Sequence, residues 1–168
     1  MSADLLDSRV RDALVRLGVV HQVLACDPDL ADTAAFCAHF GFSLEQAANT
    51  ILVASKKVDP VRYAVCVLLG TTRLDVNHKV SELLDVKRLS FADAEITMEL
   101  TGMMIGGVTA FGIEGLPIYV DAAVMEQAQV VMGGGNRSSK LLLAPGELLK
   151  LQTASVVDRL ARSSPDLT

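Results

Sequence analysis

The stretch from Thr101 to Gly112, Thr-Gly-Met-Met-Ile-Gly-Gly-Val-Thr-Ala-Phe-Gly, departs furthest from ordinary helix or strand composition. Gly106, Gly107 and Gly112 fall within seven residues in apolar surroundings. Such spacing implies backbone that approaches a neighbour closely or adopts positive φ. Backbone N–H groups displayed by such a loop can hold an anion or polarise a carbonyl. The Thr109 hydroxyl adds a candidate substrate contact. The same residues also fit a helix C-cap at Gly102 and a bend before the next strand.

Familiar catalytic spacings do not occur. His21, His39 and His78 are scattered, and Cys26, Cys37 and Cys66 form no CxxC pair. No metal site is expected. Reduced thiols suit a cytoplasmic protein. His39, His78 and Cys66 read first as structural, because the partners of a Ser/His/Asp or Cys/His set are spatial rather than sequential. The net charge of −5 argues against a general grip on nucleic-acid backbone. Lys56, Lys57, Arg62, Lys87, Arg88, Arg137 and Lys140 read as a solvated surface, or as a local grip if several face the 106–112 loop.

The elements that must position this loop are legible from periodicity. Leu6, Val10, Ala13, Leu14 and Leu17 recur at helical spacing until Gly18 stops the run. A short strand at 19–24 and a helix at 33–40 follow, and Ser43 with Gln46 forms a capping box. The β-rich runs 50–54 and 63–69 are joined by a hairpin-like connection at 57–60. Asn77 is expected to cap a helix carrying Val80, Leu83 and Leu84. Ser90 with Asp93 predicts a capping box opening a helix to about Thr101.

Strands are expected at 116–120, 130–132 and 140–143, with turn chemistry at 133–136 and a helix starting at Pro145. Asp121 is expected to cap a short helix. No glycine fingerprint follows the first strand, so a doubly wound sheet is excluded. The fold class is α+β: one domain over 1–162, a polar tail at 163–168, and a mixed sheet curled toward a barrel with surrounding helices. No apolar run is long enough to span a bilayer, and the N-terminal decapeptide is charged, so a cytoplasmic location is expected.

Five pieces then stand in order: Thr101-Gly102, the loop 106–112, Tyr119-Val120-Asp121, the turn 133–136, and Leu143-Ala144-Pro145-Gly146-Glu147-Leu148-Leu149. This succession resembles the YbaK and prolyl-tRNA synthetase-associated editing domains over about 33–151. The resemblance implies a mixed barrel-like sheet and hydrolysis, in trans, of the ester joining a wrongly attached amino acid to tRNA. It implies the aminoacyl-tRNA acceptor end as partner, an aminoacyl-tRNA synthetase as a further one, and no cofactor.

An aminoacyl ester is already activated. Positioned water and backbone dipoles can therefore suffice, and a small pocket can sort amino acids by size. On the matching positions, the loop backbone of Gly106, Gly107 and Thr109 would act in catalysis. Asn49, Val108, Ala110, Phe111, Asp121 and Gly135 would bind substrate, with Ile51, Val67 and Met104 as possible pocket lining. Two residues depart from the family pattern: Asn49 stands where a Lys is usual, and Ala110 where a Pro is usual. They leave open a relative that binds aminoacyl-tRNA or another small ligand without hydrolysing it. The oligomeric state is left open as well.

Overall fold

The computed structural model describes residues 5–163. Asp7 accepts from the Arg9 N–H, and Gly18 turns left-handed, so the amphipathic run between them becomes helix α1 (Ser8–Leu17). Strand β1 (Gln22–Ala25) follows, then helix α2 (Thr33–Phe40), ended by left-handed Gly41. The Ser43/Gln46 capping box opens a single 3₁₀ turn, Leu44–Gln46, that delivers the chain into β2 (Ala48–Ser55). Strand β3 (Tyr63–Leu69) returns antiparallel to β2, as the hairpin reading expects.

Beyond β3 the boundaries shift. A short strand β4 (Thr72–Leu74) precedes a π-helical turn, Val76–Val80, and the four-residue helix α3 (Ser81–Leu84). Asn77 lies inside that turn and does not cap it. Ser90 belongs to strand β5 (Leu89–Phe91), paired with Ala54, while Asp93 alone caps helix α4 (Ala94–Thr101). Strands β6 (Ile118–Asp121), β7 (Val130–Gly133), β8 (Ser139–Leu143), β9 (Ala154–Val157) and β10 (Ala161–Ser163) complete the fold. Arg162 and Ser163 pair with β4; the rest of the expected tail lies outside the described residues.

The strands form a mixed five-stranded sheet, β5-β2-β3-β6-β9, an antiparallel three-stranded sheet, β1-β8-β7, and the β10-β4 ribbon. The expected barrel does not close. The two larger sheets meet through one isolated bridge, Ala47 to Val131. The main core lies between them, built from Leu52, Val65, Val67, Val120, Met132 and Leu141 among others. A second cluster covers the opposite face of β3 through Ala64, Cys66 and Leu68. Burial on both faces explains why β3 reads as an unbroken apolar run. A third cluster seats α2 on the three-stranded sheet through Phe36, Cys37 and Val131.

Candidate active site

Between β2, the start of α2 and the 106–108 backbone lies a cleft of about 320 Å³. Thr33, Asn49, Thr50, Gly106, Val108 and Lys140 all line it. Its polar groups thus come from two different sheets and a loop, held in register by the cores beneath.

Asn49 sits on β2. Thr33, the first residue of α2, donates its hydroxyl to Asn49 Oδ1 at 2.7 Å. That bond commits the amide oxygen and leaves the NH2 group as donor. The neighbouring Thr50 hydroxyl is buried without a hydrogen-bond partner. An unsatisfied buried hydroxyl is destabilising by about 1–3 kcal/mol and calls for an explanation outside folding.

Lys140 is the residue whose role changes most. Along β8, Leu141 and Leu143 join the main core, while Lys140 and Leu142 point to the α2 side. The lysine is only 6% exposed. Its Nζ donates to Ala31 O at 2.6 Å and Gly106 O at 2.9 Å, and lies 5.5 Å from the Phe36 ring centroid. An ammonium carries three N–H donors, so two are committed and one remains. Burial pushes its pKa down from the ordinary lysine value. The two carbonyl bonds work the other way, favouring the charged form.

The glycine-rich segments pack backbone against backbone. A Cβ at Gly107 would collide with the Asn136 main chain, and one at Gly133 would come within 2.6 Å of the Gly107 and Val108 carbonyl oxygens. Gly135, at φ +92°, donates its N–H to Gly107 O at 2.6 Å. Arg137 ties the same region together by donating to Ile105 O, Pro28 O and Asp32. These glycines permit close approach, and the approach fixes the rim of the cleft.

Of the residues singled out in the sequence, Asn49, Gly106 and Val108 meet at the cleft, together with Ile51. Gly107 and Gly135 stand behind the rim. Thr109, Ala110 and Phe111 are fully buried in the packing under the loop; the Thr109 N–H faces Met103 Sδ at 3.5 Å, and its hydroxyl has no partner. Val67 is core, and Met104 is half-exposed outside the lining. Asp121 occupies the cap position, but its carboxylate accepts from Leu160 N at 3.1 Å. Burial raises its pKa, opposed by the backbone N–H groups of Ala161 and Leu160. It holds the β9–β10 turn.

Sequence reasoning missed Thr33 and Thr50, and left undecided between solvated surface and local grip the lysine that faces the loop, Lys140. A signal for the last existed: a lysine inside Ser-Ser-Lys-Leu-Leu-Leu interrupts a strand otherwise built for burial. Of the other basic residues, Arg62 donates to Leu84 O and Asp85 O, and Lys56, Lys57, Lys87 and Arg88 are exposed without lining the cleft. Among the described residues no group of three or more His, Cys, Asp or Glu could hold a metal ion, and no helix is long and apolar enough to cross a membrane.

The sequence model of the aminoacyl-tRNA editing domain matches residues 27–151, most of the chain and the whole of the cleft. Among solved structures, the hypothetical protein APE2540 superposes at a TM-score of 0.81 with 25% identity, covering 92% of this chain and 100% of its own. A candidate trans-editing enzyme for prolyl tRNA synthetase superposes at 0.79 with 27% identity, covering 97% and 98%. A candidate signal transduction protein from Marinobacter aquaeolei VT8 shares the fold alone, at 0.66 and 15% identity, with 97% of this chain matching 32% of that one.

Proposed function

This chain belongs to the aminoacyl-tRNA editing-domain family, and from that premise we propose that it hydrolyses the ester of a mischarged tRNA, acting in trans as a prolyl-type editing deacylase. The observation that carries the reading is the convergence of Asn49, Thr50 and Lys140 on one small cleft beside the glycine loop. Its volume, about 320 Å³, lies at the small end of ligand pockets, of which about 300–1,000 Å³ is typical. Ala48, Leu52 and Val108 supply apolar lining against which an aminoacyl side chain would pack.

The chemistry follows from the donors. Water adds through its oxygen to the ester carbonyl carbon, and negative charge develops on the carbonyl oxygen. The third N–H of Lys140 and its positive charge are available to that oxygen, and the Asn49 NH2 is available to a carbonyl or ribose oxygen. Collapse breaks the bond from carbon to the ribose oxygen, which leaves with a proton derived from the water. Free amino acid and intact tRNA result. A single donor placed for a developing oxyanion contributes about 10²- to 10³-fold to rate. Lys140 also holds the Gly106 carbonyl, so the rim and the charge are set by one side chain.

In this reading the family's usual β2 lysine is absent, and its charge is supplied from β8 on the facing sheet. The net charge of −5 then no longer stands against the function, because the cation required is local and buried. The test is deacylation of a panel of tRNAs mischarged with small amino acids. Hydrolysis above the buffer rate for at least one is expected. Rates equal to buffer across the panel would leave a binding-only relative.

A further inference from the structure

The charge of the cleft bears on the group that an ester carries at its α-carbon. Among the described residues, Lys140 is the one charged side chain that lines the cleft; its uncharged polar neighbours include Thr33, Asn49 and Thr50. The titratable groups that act on the lysine stand behind the lining: Cys26 after β1, Cys37 on α2, Asp32 just before α2, and Arg137 before β8. The lining from β2 and from the 106–108 backbone adds no titratable group. Burial pushes both thiols up, so they stay neutral near pH 7. Arg137 and Asp32 are bonded to each other at 3.1 Å and act on Lys140 in opposite senses, so their charges offset. A single positive charge remains in the cleft.

The committed hydrogen bonds leave donors free. Ala31 O and Gly106 O take two N–H bonds of Lys140, which leaves the third. Thr33 gives its hydroxyl hydrogen to Asn49 Oδ1, which leaves the Asn49 NH2. The Thr50 hydroxyl, without a partner, can donate or accept, but it offsets no charge. An α-ammonium carries three donors and no lone pair. It sets donors against donors and a second positive charge against the first, in a site where burial weakens screening. In an ester the α-nitrogen is attached to the atom next to the carbonyl carbon, so a lysine that reaches the carbonyl oxygen stands close to it. An α-hydroxyl or a free-base amine offers a lone pair to the same donors and brings no charge.

We propose that the cleft takes acyl groups uncharged at the α-position: an α-hydroxyacyl ester in preference to the aminoacyl ester of the same side chain, and the aminoacyl ester as its free-base amine. This rests on the editing reading of the cleft and names the form of substrate it accepts. An α-amino group titrates at about 7.7–8.0, so a usable share of any aminoacyl ester is uncharged at neutral pH.

Binding of stable amides tests it apart from hydrolysis. Acceptor-stem RNA hairpins ending in a 3′-alanylamide, a 3′-lactylamide or a bare 3′ end are titrated with the full chain by fluorescence anisotropy, from mildly acidic to mildly alkaline pH. The lactylamide hairpin is expected to bind more tightly than the bare one throughout. The alanylamide hairpin is expected to match it at alkaline pH and to weaken relative to it by about tenfold for each pH unit below about 7.7. The ratio of the two acylated hairpins cancels titrations that belong to the protein or the RNA alone. Lys140→Met is expected to make the two affinities equal at every pH, whereas Lys140→Arg keeps the charge and the wild-type profile.

If Lys140→Met melts early, the wild-type and Lys140→Arg profiles decide. A wild-type ratio that stays flat with pH overturns the inference, as does an alanylamide that binds more tightly as pH falls, which would seat its ammonium against Asp32. A wild-type pH dependence that persists in Lys140→Met overturns it as well. Hydrolysis of a mischarged tRNA alongside a flat ratio keeps the editing reading and removes this inference alone. Acylated hairpins that bind no better than the bare one overturn both. A lactylamide preference in a protein that hydrolyses no ester keeps this inference and removes the deacylase reading instead.

Discussion

Two regions meet at the cleft, and they divide the work differently from how their sequences suggest. The glycine-rich segments 106–112 and 133–136 look like catalytic loops, yet three of their six glycines serve the close approach of the two segments. Gly107 admits the Asn136 backbone, Gly133 admits the Gly107 and Val108 carbonyls, and Gly135 donates back to Gly107. The cleft walls look ordinary in sequence, an Asn in one strand and a Lys in another, yet they carry the free donors. Unusual backbone composition marked the place; common residues on rigid strands supply the polar groups, as preorganised sites require.

The comparison breaks most sharply at Lys140. Lys140→Met is expected to lower single-turnover deacylation by about 100-fold or more. Its melting temperature is expected to move little, because a buried ammonium is removed as two carbonyls lose a donor. A rate loss matched by a large loss of stability would instead make Lys140 a structural pin. The glycine side is expected to behave in the opposite way. Gly133→Ala forces a methyl against two carbonyl oxygens and is expected to lose about 1–3 kcal/mol, seen as a melting shift of roughly 2–12 °C. If Gly133→Ala kept wild-type stability and lost activity, the loop would be chemical after all.

Moving the charge sharpens the same contrast. Asn49→Lys in the Lys140→Met background is expected to recover about tenfold of the lost rate, since a well-placed charged hydrogen bond is worth about 1.5–3 kcal/mol. Asn49→Lys alone is expected to give no gain, because a second cation would enter a cleft that already holds one. A gain in the single variant would place the missing charge on β2. Thr33→Val frees the Asn49 amide and is expected to reduce kcat/KM by about fivefold, one ordinary hydrogen bond.

The smallest effect is in pH. With its folded pKa below the unfolded one, Lys140 binds a proton less readily in the folded state, so its contribution to stability rises as pH climbs through that window. Activity needs the ammonium and is expected to fall over the same window, after subtraction of base-catalysed hydrolysis. Lys140→Arg keeps its charge and is expected to remove that alkaline limb, whatever its absolute rate.

How much of this could be read beforehand follows the physics of each element. Helix α1 was legible because the apolar spacing and the stop at Gly18 agree; the β2–β3 hairpin was legible because turn chemistry separates two β-rich runs. Strands β4, β5 and β10 were not, since three residues each carry no period and depend on a partner distant in sequence. The mixed-sheet reading holds and the sheet stops short of a closed barrel: among the described residues the two larger sheets share one isolated backbone bridge and pack together through the core between them. Asn49 was found through the resemblance, and Gly106 through the glycine-rich composition of its own stretch. Lys140 stood between a solvated surface and a grip on the loop, because lysines are rarely buried, and only the placement of α2 over β8 turns it inward.

One measurement bears most directly on the claim that this cleft is an editing site with its cation on β8: single-turnover hydrolysis of small-amino-acid mischarged tRNAs by the wild type, Lys140→Met and Lys140→Met/Asn49→Lys. The expected order is a rate above buffer for the wild type, a fall of about 100-fold in the single variant, and partial recovery in the double. A wild type that hydrolyses as fast as Lys140→Met, or that never exceeds buffer, would contradict it.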